Sequence, residues 1–344
     1  SWLRENNLSV AFTTYQTCRL FLLGTNEDGT RLSLRERVFD QAMGLHATPQ
    51  TLHLATKFQV WRLENILEPG ELHEGFDRQY LPRTGHTTGN IDAHDLVVDG
   101  DGRVLAISTL YSCLAEVGGR YGVRPLWKPP FVTQLAPEDR CHLNGLALRD
   151  GRPAHATACG ATDSPEAWRK SRTGGGVLLD IATSQTVCGG FSMPHSPRWH
   201  QDKLWVLNSG AGELGHVDLD AGAFEPVTFA PGYLRGLAFH GPWAIVGLSK
   251  CRENRTFQGL PLDDALRARG QQALCGLHIV DTRTGETVQW LHIEGPVIEL
   301  YDVQVLPGVR RGTVVGFLTD EIQRTLTLEG PEGDRMRIDR GTNA

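Results

Sequence analysis

The chain has 344 residues, a formal net charge of −6 at neutral pH and a hydrophobic fraction of 40%. This composition is that of an ordinary soluble globular protein, and its acidic balance argues against a surface for nucleic acid or for an anionic membrane. No stretch approaches the roughly 20 apolar residues of a membrane-spanning helix. We therefore expect neither a nucleic acid nor a membrane among its partners.

Seven cysteines are scattered along the chain, with no Cys-x-x-Cys spacing among them. An odd, dispersed set favours reduced thiols over a disulfide framework. The first residues, SWLRENNLSV, lack the apolar core of a secretion signal. Together these features predict a cytoplasmic protein.

The predicted elements are almost all short strands. In chain order the apolar segments run from LSVAFTTY and CRLFLLGT through DLVVDGDGRVLAIST, KLWVLNS and WAIVGLS to GLHIVDTRTGETVQWLHI and GTVVGFLT. Turn signals such as Asp-Gly-Asp-Gly at 99–102 and Thr-Gly at 284–285 separate strands, as in hairpins. Only Pro165–Ser171 and Pro261–Gln272 are predicted to be helical, and both lie in insertions between strands.

A hairpin unit recurs along the chain. Five segments align on it: AHDLVVDGDGRVLAIST, LNGLALRDGRPAHATA, HSPRWHQDKLWVLNS, RGLAFHGPWAIVGLS and YDVQVLPGVRRGTVVGFLT. A sixth, MGLHATPQTLHLATKFQVWRL, fits more loosely. A second hairpin between consecutive units gives four strands per unit at a period of about 40–65 residues, which is the pattern of a β-propeller blade.

Six such units fit within residues 43–319. The chain is therefore predicted to be an all-β protein, a six-bladed β-propeller whose N-terminal strands, near 8–25 and 32–39, close the last blade. The propeller would form a single domain at residues 1–320, followed by a polar tail at 321–344. A pair of packed β-domains is the competing interpretation.

The alignment brings polar side chains to one end of the ring, because the innermost strand of every propeller blade starts at the same face. It places five of them at equivalent positions: His94, Asn144, His195, Arg235 and Tyr301. A second set lies one or two residues away: Asp95, His142, Ser196 and Asp302.

The segment SMPHSPRWH at 192–200 carries one of these histidines. It is expected to be a short loop, in which Pro194 and Pro197 restrict the backbone on both sides of His195. This restriction suits a fixed side-chain direction. His200 is expected at the surface, in the hairpin turn that follows.

Three imidazoles from separate repeats suggest a metal site. Neutral imidazole is a common ligand of transition metals, and three protein ligands with an open position are typical of catalytic sites. We therefore predict that His94, His142 and His195 bind a divalent transition metal (iron, copper, zinc or manganese), with Asn144 as a further ligand. The alternative is that these buried rings only satisfy backbone carbonyl groups.

Charged side chains near the same ring suggest catalytic roles. Arg235 would bind an anionic group of the substrate through paired hydrogen bonds, and Glu299 is the candidate general base. Asp302 would orient a ligand or act as a base. Two nearby segments each have two possible interpretations. Glu138–Arg140 is either part of a site or a capped loop with an internal salt bridge. The segment 249–257 is either a cationic lid or a solvated loop.

Several segments together resemble a family of bacterial proteins described as conserved and uncharacterised: TTYQTCRLFLL, APEDRCHLNGLAL, SMPHSPRWH, LWVLNSGAGELGHVD, RGLAFHG, GLSKCREN and YDVQVLPGVR. The resemblance runs from about Ser9 to Thr319, and some members of that family are attached to tetratricopeptide repeats. The architecture is also similar to that of six-bladed propellers such as gluconolactonases, strictosidine-synthase-like proteins and the lyase that completes peptide amidation. That second resemblance implies a divalent cation on the central axis.

The leading hypothesis is a metal-dependent enzyme with a His-rich site at the axial mouth of the propeller. Its substrate would be a small or peptidyl molecule with an anionic group, and the reaction would be hydrolysis, elimination or oxygenation. The alternative is a non-catalytic binding module that recognises a peptide or protein partner. The sequence leaves the substrate, the reaction class, the metal and the oligomeric state open.

Overall fold

A computed structural model describes residues 1–250, 257–332 and 335–339. Within these ranges the chain forms 27 strands and three short helices. The N-terminal part holds α1 (Trp2–Glu5), β1 (Leu8–Thr14), β2 (Arg19–Thr25) and β3 (Leu32–Val38). The next strands are β4 (Leu45–Ala47), β5 (Thr51–Ala55), β6 (Gln59–Asn65), β7 (Arg78–Thr87), β8 (Ala93–Val98), β9 (Val104–Ser108), β10 (Cys113–Val117) and β11 (Val123–Trp127).

The second half of the ring follows the same pattern. Its strands are β12 (Leu143–Arg149), β13 (Arg152–Ala158), β14 (Gly176–Asp180), β15 (Thr186–Phe191), β16 (Pro194–His200), β17 (Lys203–Asn208), β18 (Glu213–Asp218), β19 (Ala223–Phe229), β20 (Tyr233–His240), β21 (Trp243–Ser249), β22 (Gly276–Asp281) and β23 (Thr287–His292). The chain then continues through β24 (Val303–Pro307), β25 (Gly312–Val314), α3 (Glu321–Arg324), β26 (Thr325–Glu329) and β27 (Arg335–Asp339).

These strands form a six-bladed β-propeller, as predicted. Blades 1 to 5 begin with the innermost strands β4, β8, β12, β16 and β20, and each continues outward through the next three strands in chain order. Blade 6 has the order β24-β1-β2-β3. The antiparallel pairing of Leu8 with Pro307 and of Phe12 with Val303 confirms that the N-terminal strands close the last blade.

The second strand of the last repeat differs from its prediction. The repeat alignment places GTVVGFLT beside the inner strand of blade 6, but β1 takes that position. β25 instead adds in parallel to β7, on the outer edge of blade 1, where Gly312 pairs with Arg78. The N-terminal strand offers a longer antiparallel partner, and β25 then covers an edge that would otherwise expose unpaired backbone groups.

The hydrophobic core is divided into clusters between neighbouring blades. Leu45 and Leu52 of blade 1, for example, pack with Leu20 and Leu306 of blade 6. Comparable clusters join blades 1 and 2, 2 and 3, 3 and 4, 4 and 5, and 5 and 6. Every blade therefore needs both neighbours in order to bury its two faces.

Two insertions occur where the sequence predicts helices. Ala167–Lys170 forms a 3₁₀ turn, and α2 spans Pro261–Arg269, with Pro261 at the first helical position and Gly270 in the left-handed conformation after its end. Trp168 of the first insertion and Leu262 of the second share a cluster with Met193, next to the mouth of the ring. The insertions therefore extend the wall of the mouth.

The residues after Asp320 form α3 and the antiparallel hairpin of β26 and β27. The division into a domain at 1–320 and a tail at 321–344 stays a prediction. The six described cysteines are all free, whereas Cys251 lies outside the described residues. None of the helices described is long and apolar enough to cross a membrane.

A buried ion cluster crosses the central channel. The Arg198 guanidinium of blade 4 donates to both carboxylate oxygens of Asp95 in blade 2, at 2.8 and 3.1 Å. It also lies 3.8 Å from the carboxylate of Asp302, the residue before β24. Burial, together with the neighbouring Asp95 carboxylate, raises the pKa of Asp302 to about 7. One arginine thus holds two carboxylates from different blades.

The same carboxylates bind the backbone of the intervening blades. Asp95 accepts a hydrogen bond of 2.9 Å from the N–H of Leu146 in blade 3, and Asp302 accepts one of 2.8 Å from the N–H of Leu45 in blade 1. The Ser196 hydroxyl in blade 4 accepts one of 3.1 Å from the N–H of Gly236 in blade 5. All six blades are therefore linked around the axis by side-chain contacts.

Replacing Arg198 by methionine tests this cluster. The substitution leaves two carboxylates buried without their cation, so we expect Arg198→Met to lower the free energy of unfolding by about 3–5 kcal/mol. Urea denaturation followed by tryptophan fluorescence measures the change. Arg267→Met is the matched control, because the Arg267 side chain is 77% exposed and pairs with Asp264, which is 79% exposed. Equal, small effects of the two substitutions would contradict the role of the cluster.

Candidate metal centre

Backbone bulges turn four polar side chains toward the axis. The pairing register between the first and second strands of a blade shifts next to His94 in β8, Asn144 in β12, His195 in β16 and Arg235 in β20. A bulge changes the direction of a side chain that would otherwise alternate with its neighbours. The four residues that the repeat alignment places at equivalent positions thus share a β-bulge in their blades.

The segment around His195 is a strand rather than the predicted loop. Residues 194–200 form β16, with the register shift between His195 and Arg198. Ser196 within the bulge has a φ of +50°, and Met193 before the strand has a φ of +47°. Left-handed backbone at such residues is unusual and costs free energy. The two prolines therefore lie in a strained strand that fixes the direction of the His195 ring.

The three predicted histidines come together on the axis. One ring nitrogen of each lies within 4.8 Å of those of the other two, and this group could hold a metal ion. The His94 and His142 ring centroids are 4.8 Å apart, and the His195 centroid lies 6.5 and 6.4 Å from them. The three residues are buried, with exposures of 9%, 9% and 3%. They come from blades 2, 3 and 4.

An oxygen atom faces the Nδ1 atom of each ring. His142 Nδ1 lies 2.8 Å from Asp139 Oδ2, and His195 Nδ1 lies 3.0 Å from the carbonyl oxygen of Met193. His94 Nδ1 lies 3.4 Å from both the carbonyl and a carboxylate oxygen of Asp92. These acceptors favour the Nδ1–H tautomer, which leaves each Nε2 with a lone pair, as in metal-binding histidines oriented by outer groups.

Burial keeps two of the rings neutral. It lowers the pKa of His94, and the charges of His142 and Arg235 lower it further against the opposing effect of Asp92. Burial also lowers the pKa of His195 well below its usual value, with Arg235, His142 and His94 as further causes. Neutral imidazole is the form that binds metals.

Arg235 lies beside the imidazoles. Its Nη2 is 3.5 Å from His94 Nε2 and 3.4 Å from His195 Nε2, and its guanidinium lies 4.5 Å from the centre of the Tyr301 ring. The Arg235 residue is 9% exposed. The predicted cation is therefore present at the site, in contact with two of the three predicted ligands.

A cavity of about 350 Å³ opens onto this group. The lining residues include His94, His142 and Arg235 of the group itself. The rest of the wall combines aromatic and thioether side chains with a few polar ones: Tyr15, Gln41, Met43, Asp92, Trp168, Arg169, Met193, Phe257 and Tyr301. A volume at the lower end of the range for small-molecule sites indicates room for a compact ligand.

Two of the other predicted residues lie deeper in the channel. Asn144 and Asp302 line a small cavity of about 10 Å³ together with His195. The Asn144 amide is engaged within its own blade, since its oxygen accepts a hydrogen bond of 2.7 Å from Thr157 and its nitrogen lies 3.3 Å from Cys159 Sγ. Asp302 belongs to the ion cluster. Their predicted roles at a metal stay predictions.

Glu299 is buried, with 7% of its surface exposed, two residues before Tyr301. It is not among the residues that line the 350 Å³ cavity. Its role as a general base therefore stays a prediction. In the segment 249–257, residues 251–256, which include the arginines of the predicted lid, lie outside the described residues.

Asp139 is a site residue, although its sequence context indicates only a place in a functional or salt-bridged loop. The loop has its ion pair, because Arg140 lies 2.8 Å from Glu138, yet Asp139 turns toward the site. Its Oδ2 accepts hydrogen bonds from both His142 and the Trp168 indole, the latter at 3.0 Å. The spacing of a carboxylate three residues before a histidine is the one signal that could have indicated this contact.

Trp168 was also missed. Its ring stacks on His142, with centroids 4.2 Å apart and planes inclined by 29°. It comes from an insertion in blade 3, and no repeat position predicts where an insertion folds. Trp168 and Asp139 thus fix the ring plane of His142 from two sides.

Comparison with known proteins identifies the family. The model of a domain of unknown function, DUF4915, matches residues 1–315. The chain belongs to this family. No curated protein matches the sequence of this DUF4915 member.

Solved structures resemble the DUF4915 chain in fold. A chain in the crystal structure of a nidogen/laminin complex aligns with a TM-score of 0.53 and 10% identity, over 87% of this chain and 98% of that one. Virginiamycin B lyase from Staphylococcus aureus aligns with a TM-score of 0.43 and 9% identity, over 98% and 96% of the two chains. At such identities the first of these similarities supports the propeller fold alone.

Removing the Asp139 carboxylate tests its part in fixing His142. Asp139→Ala leaves the buried donors of His142 and Trp168 without an acceptor, so we expect the free energy of unfolding to fall by about 1–3 kcal/mol. Asp139→Asn is the matched variant, because it keeps one acceptor oxygen and should lose less. Urea denaturation measures both, and an equal loss in the two variants would contradict the hydrogen-bonding role.

Proposed function

We propose that this protein is a metal-dependent enzyme whose site lies at the axial mouth of the propeller. The observation that carries the proposal is the arrangement of His94, His142 and His195, whose ring nitrogens lie within 4.8 Å of one another while an oxygen faces each Nδ1. Histidines that only fill a hydrophobic core have no need to bring their ring nitrogens close to one another.

The residues fit a transition metal. In a tetrahedral site with bonds of about 2.1 Å, ligand atoms lie about 3.4 Å apart, so the separation of the three nitrogens can be met by small ring rotations. Imidazole ligands suit iron, copper and zinc, and manganese completes the set of candidate ions. Three protein ligands leave coordination positions open, as in catalytic rather than structural zinc sites.

The proposed chemistry divides between the ion and the chain. A bound ion of this kind supplies either an activated water molecule or a site for dioxygen, so the proposal covers hydrolysis or elimination and oxygenation. Arg235 binds the anionic group of the substrate next to the ligands. Asp139 and Asp92 orient His142 and His94, and Asp302 stabilises the strand starts below them. Glu299 is the proposed base.

The proposed substrate is a small molecule or a short peptide end in a cytoplasmic setting, without nucleic acid or membrane. The cavity of about 350 Å³ supports a compact ligand. The aromatic and thioether side chains of the wall, with Arg235 beside them, support an anionic group on an otherwise apolar body.

A specific contact favours a second candidate function. Arg235 Nη2 lies 3.4–3.5 Å from the Nε2 atoms of His94 and His195, so the guanidinium can itself donate to the lone pairs that a metal would use. In that case the mouth is a metal-free recognition pocket for a peptide or protein partner, and the protein is a binding module.

Elemental analysis of protein purified without a histidine tag separates these functions. We expect close to one equivalent of a transition metal in the wild type and its loss in His195→Ala, because two imidazoles hold such ions much more weakly than three. His200→Ala is the matched control, since His200 stacks on Phe239 and contacts the Gly241 carbonyl, away from the axis. Metal-free wild type that is folded would refute the metalloenzyme and favour the binding module.

A further inference from the structure

Arg235 carries a buried charge with no counter-ion among the residues that the structure describes. Its hydrogen-bond contacts are with the two imidazoles, and its Nε is buried without a hydrogen-bond partner. Among the described residues, no carboxylate oxygen lies within 4.0 Å of a guanidinium nitrogen of Arg235, which is the distance of an ion pair. Buried charges in proteins are otherwise paired, so an orphaned guanidinium that faces a cavity calls for an anionic ligand.

Arg198 differs from Arg235 in this respect. It lies on the same axis, but two carboxylates surround it. The fold can therefore supply counter-ions where an arginine serves stability. The carboxylates that act electrostatically on Arg235, after the phenols of Tyr301 and Tyr233, belong to Glu299 and Asp92, and neither forms a described ion pair with it.

From these contacts we infer that the site takes a small carboxylic acid with an apolar body, its carboxylate bound by Arg235 next to the three histidines. This inference deepens the proposed function and rests on it, since the carboxylate is taken as the anionic group of that substrate. One guanidinium matches one carboxylate, through two parallel hydrogen bonds.

The cavity wall supports the apolar body. Tyr15, Met43, Phe257 and Tyr301 give it aromatic rings and a thioether, which favour flat or flexible hydrocarbon groups. The carboxylate of the ligand is therefore expected beside Arg235, with its apolar body against these four side chains.

Benzoate is the test ligand, and its affinity is measured by isothermal titration calorimetry. Benzamide is the uncharged control of the same shape, and acetate is the carboxylate without the apolar body. We expect benzoate to bind more tightly than both. In Arg235→Met its affinity should fall by roughly 10- to 100-fold, the effect of losing hydrogen bonds to a charged partner, while that of benzamide stays the same.

Two further variants serve as a replacement and as a control. Arg235→Lys keeps the charge but not the paired donors, and it replaces Arg235→Met if that variant does not fold. Arg283→Met removes a surface arginine and should leave benzoate binding unchanged. Benzoate affinity equal in wild type and in both Arg235 variants, or equal affinities for benzoate and benzamide, would overturn the inference.

The titrations are run on zinc-loaded and on EDTA-treated protein, with zinc content measured separately. Arginine-dependent benzoate binding by EDTA-treated protein would support the carboxylate site whether or not a metal is bound, whereas metal-free protein as purified would refute the metalloenzyme. Protein that contains a metal as purified but shows no preference for benzoate over benzamide would overturn the carboxylate site and leave the metalloenzyme standing. The experiments therefore distinguish a failure of the carboxylate site from a failure of the metalloenzyme proposal.

Discussion

The pairing of Arg198 with Asp95 and Asp302 is the interaction on which the geometry of the mouth depends. Burying a guanidinium with two carboxyl groups costs solvation free energy that only close pairing offsets, so these side chains hold the inner strands at a fixed radius. His94 directly precedes Asp95 in the chain. The ion cluster thus fixes the strand that carries His94, while Asp139 and Trp168 hold the ring of His142.

The axis therefore has two electrostatic layers with opposite character. In the deeper layer Arg198 has its counter-ions, and every blade contributes a donor or an acceptor. In the outer layer Arg235 meets two neutral rings, and its charge is left for a ligand. The stability that the deeper layer provides allows the protein to keep the Arg235 charge without a counter-ion in the outer layer. Functional sites commonly keep polar groups that cost stability in this way.

The blades and the shared polar positions could be predicted from the sequence, because strand alternation and turn residues are local signals that repeat. His94 and His195 were found in this way. Asp139 and Trp168 could not be predicted in this way, because they lie in a loop and in an insertion, whose conformations are not part of the repeat pattern. The pairing of β25 was wrong for a related reason: the choice between two sheet edges depends on an N-terminal strand almost 300 residues away, and no local pattern records that competition.

The order of the blades along the chain has a consequence for assembly. The three histidines lie in consecutive blades, within residues 94–195, so joining them closes much shorter chain segments than the pairing of β1 with β24 does. Arg235 and Tyr301 lie in later segments, and the last blade is complete only when β1 pairs with β24. Contacts of low sequence separation form early in folding, whereas ring closure is non-local and slow. The imidazole cluster can therefore form in an open arc of blades, and the unpaired positive charge joins it near the end of folding.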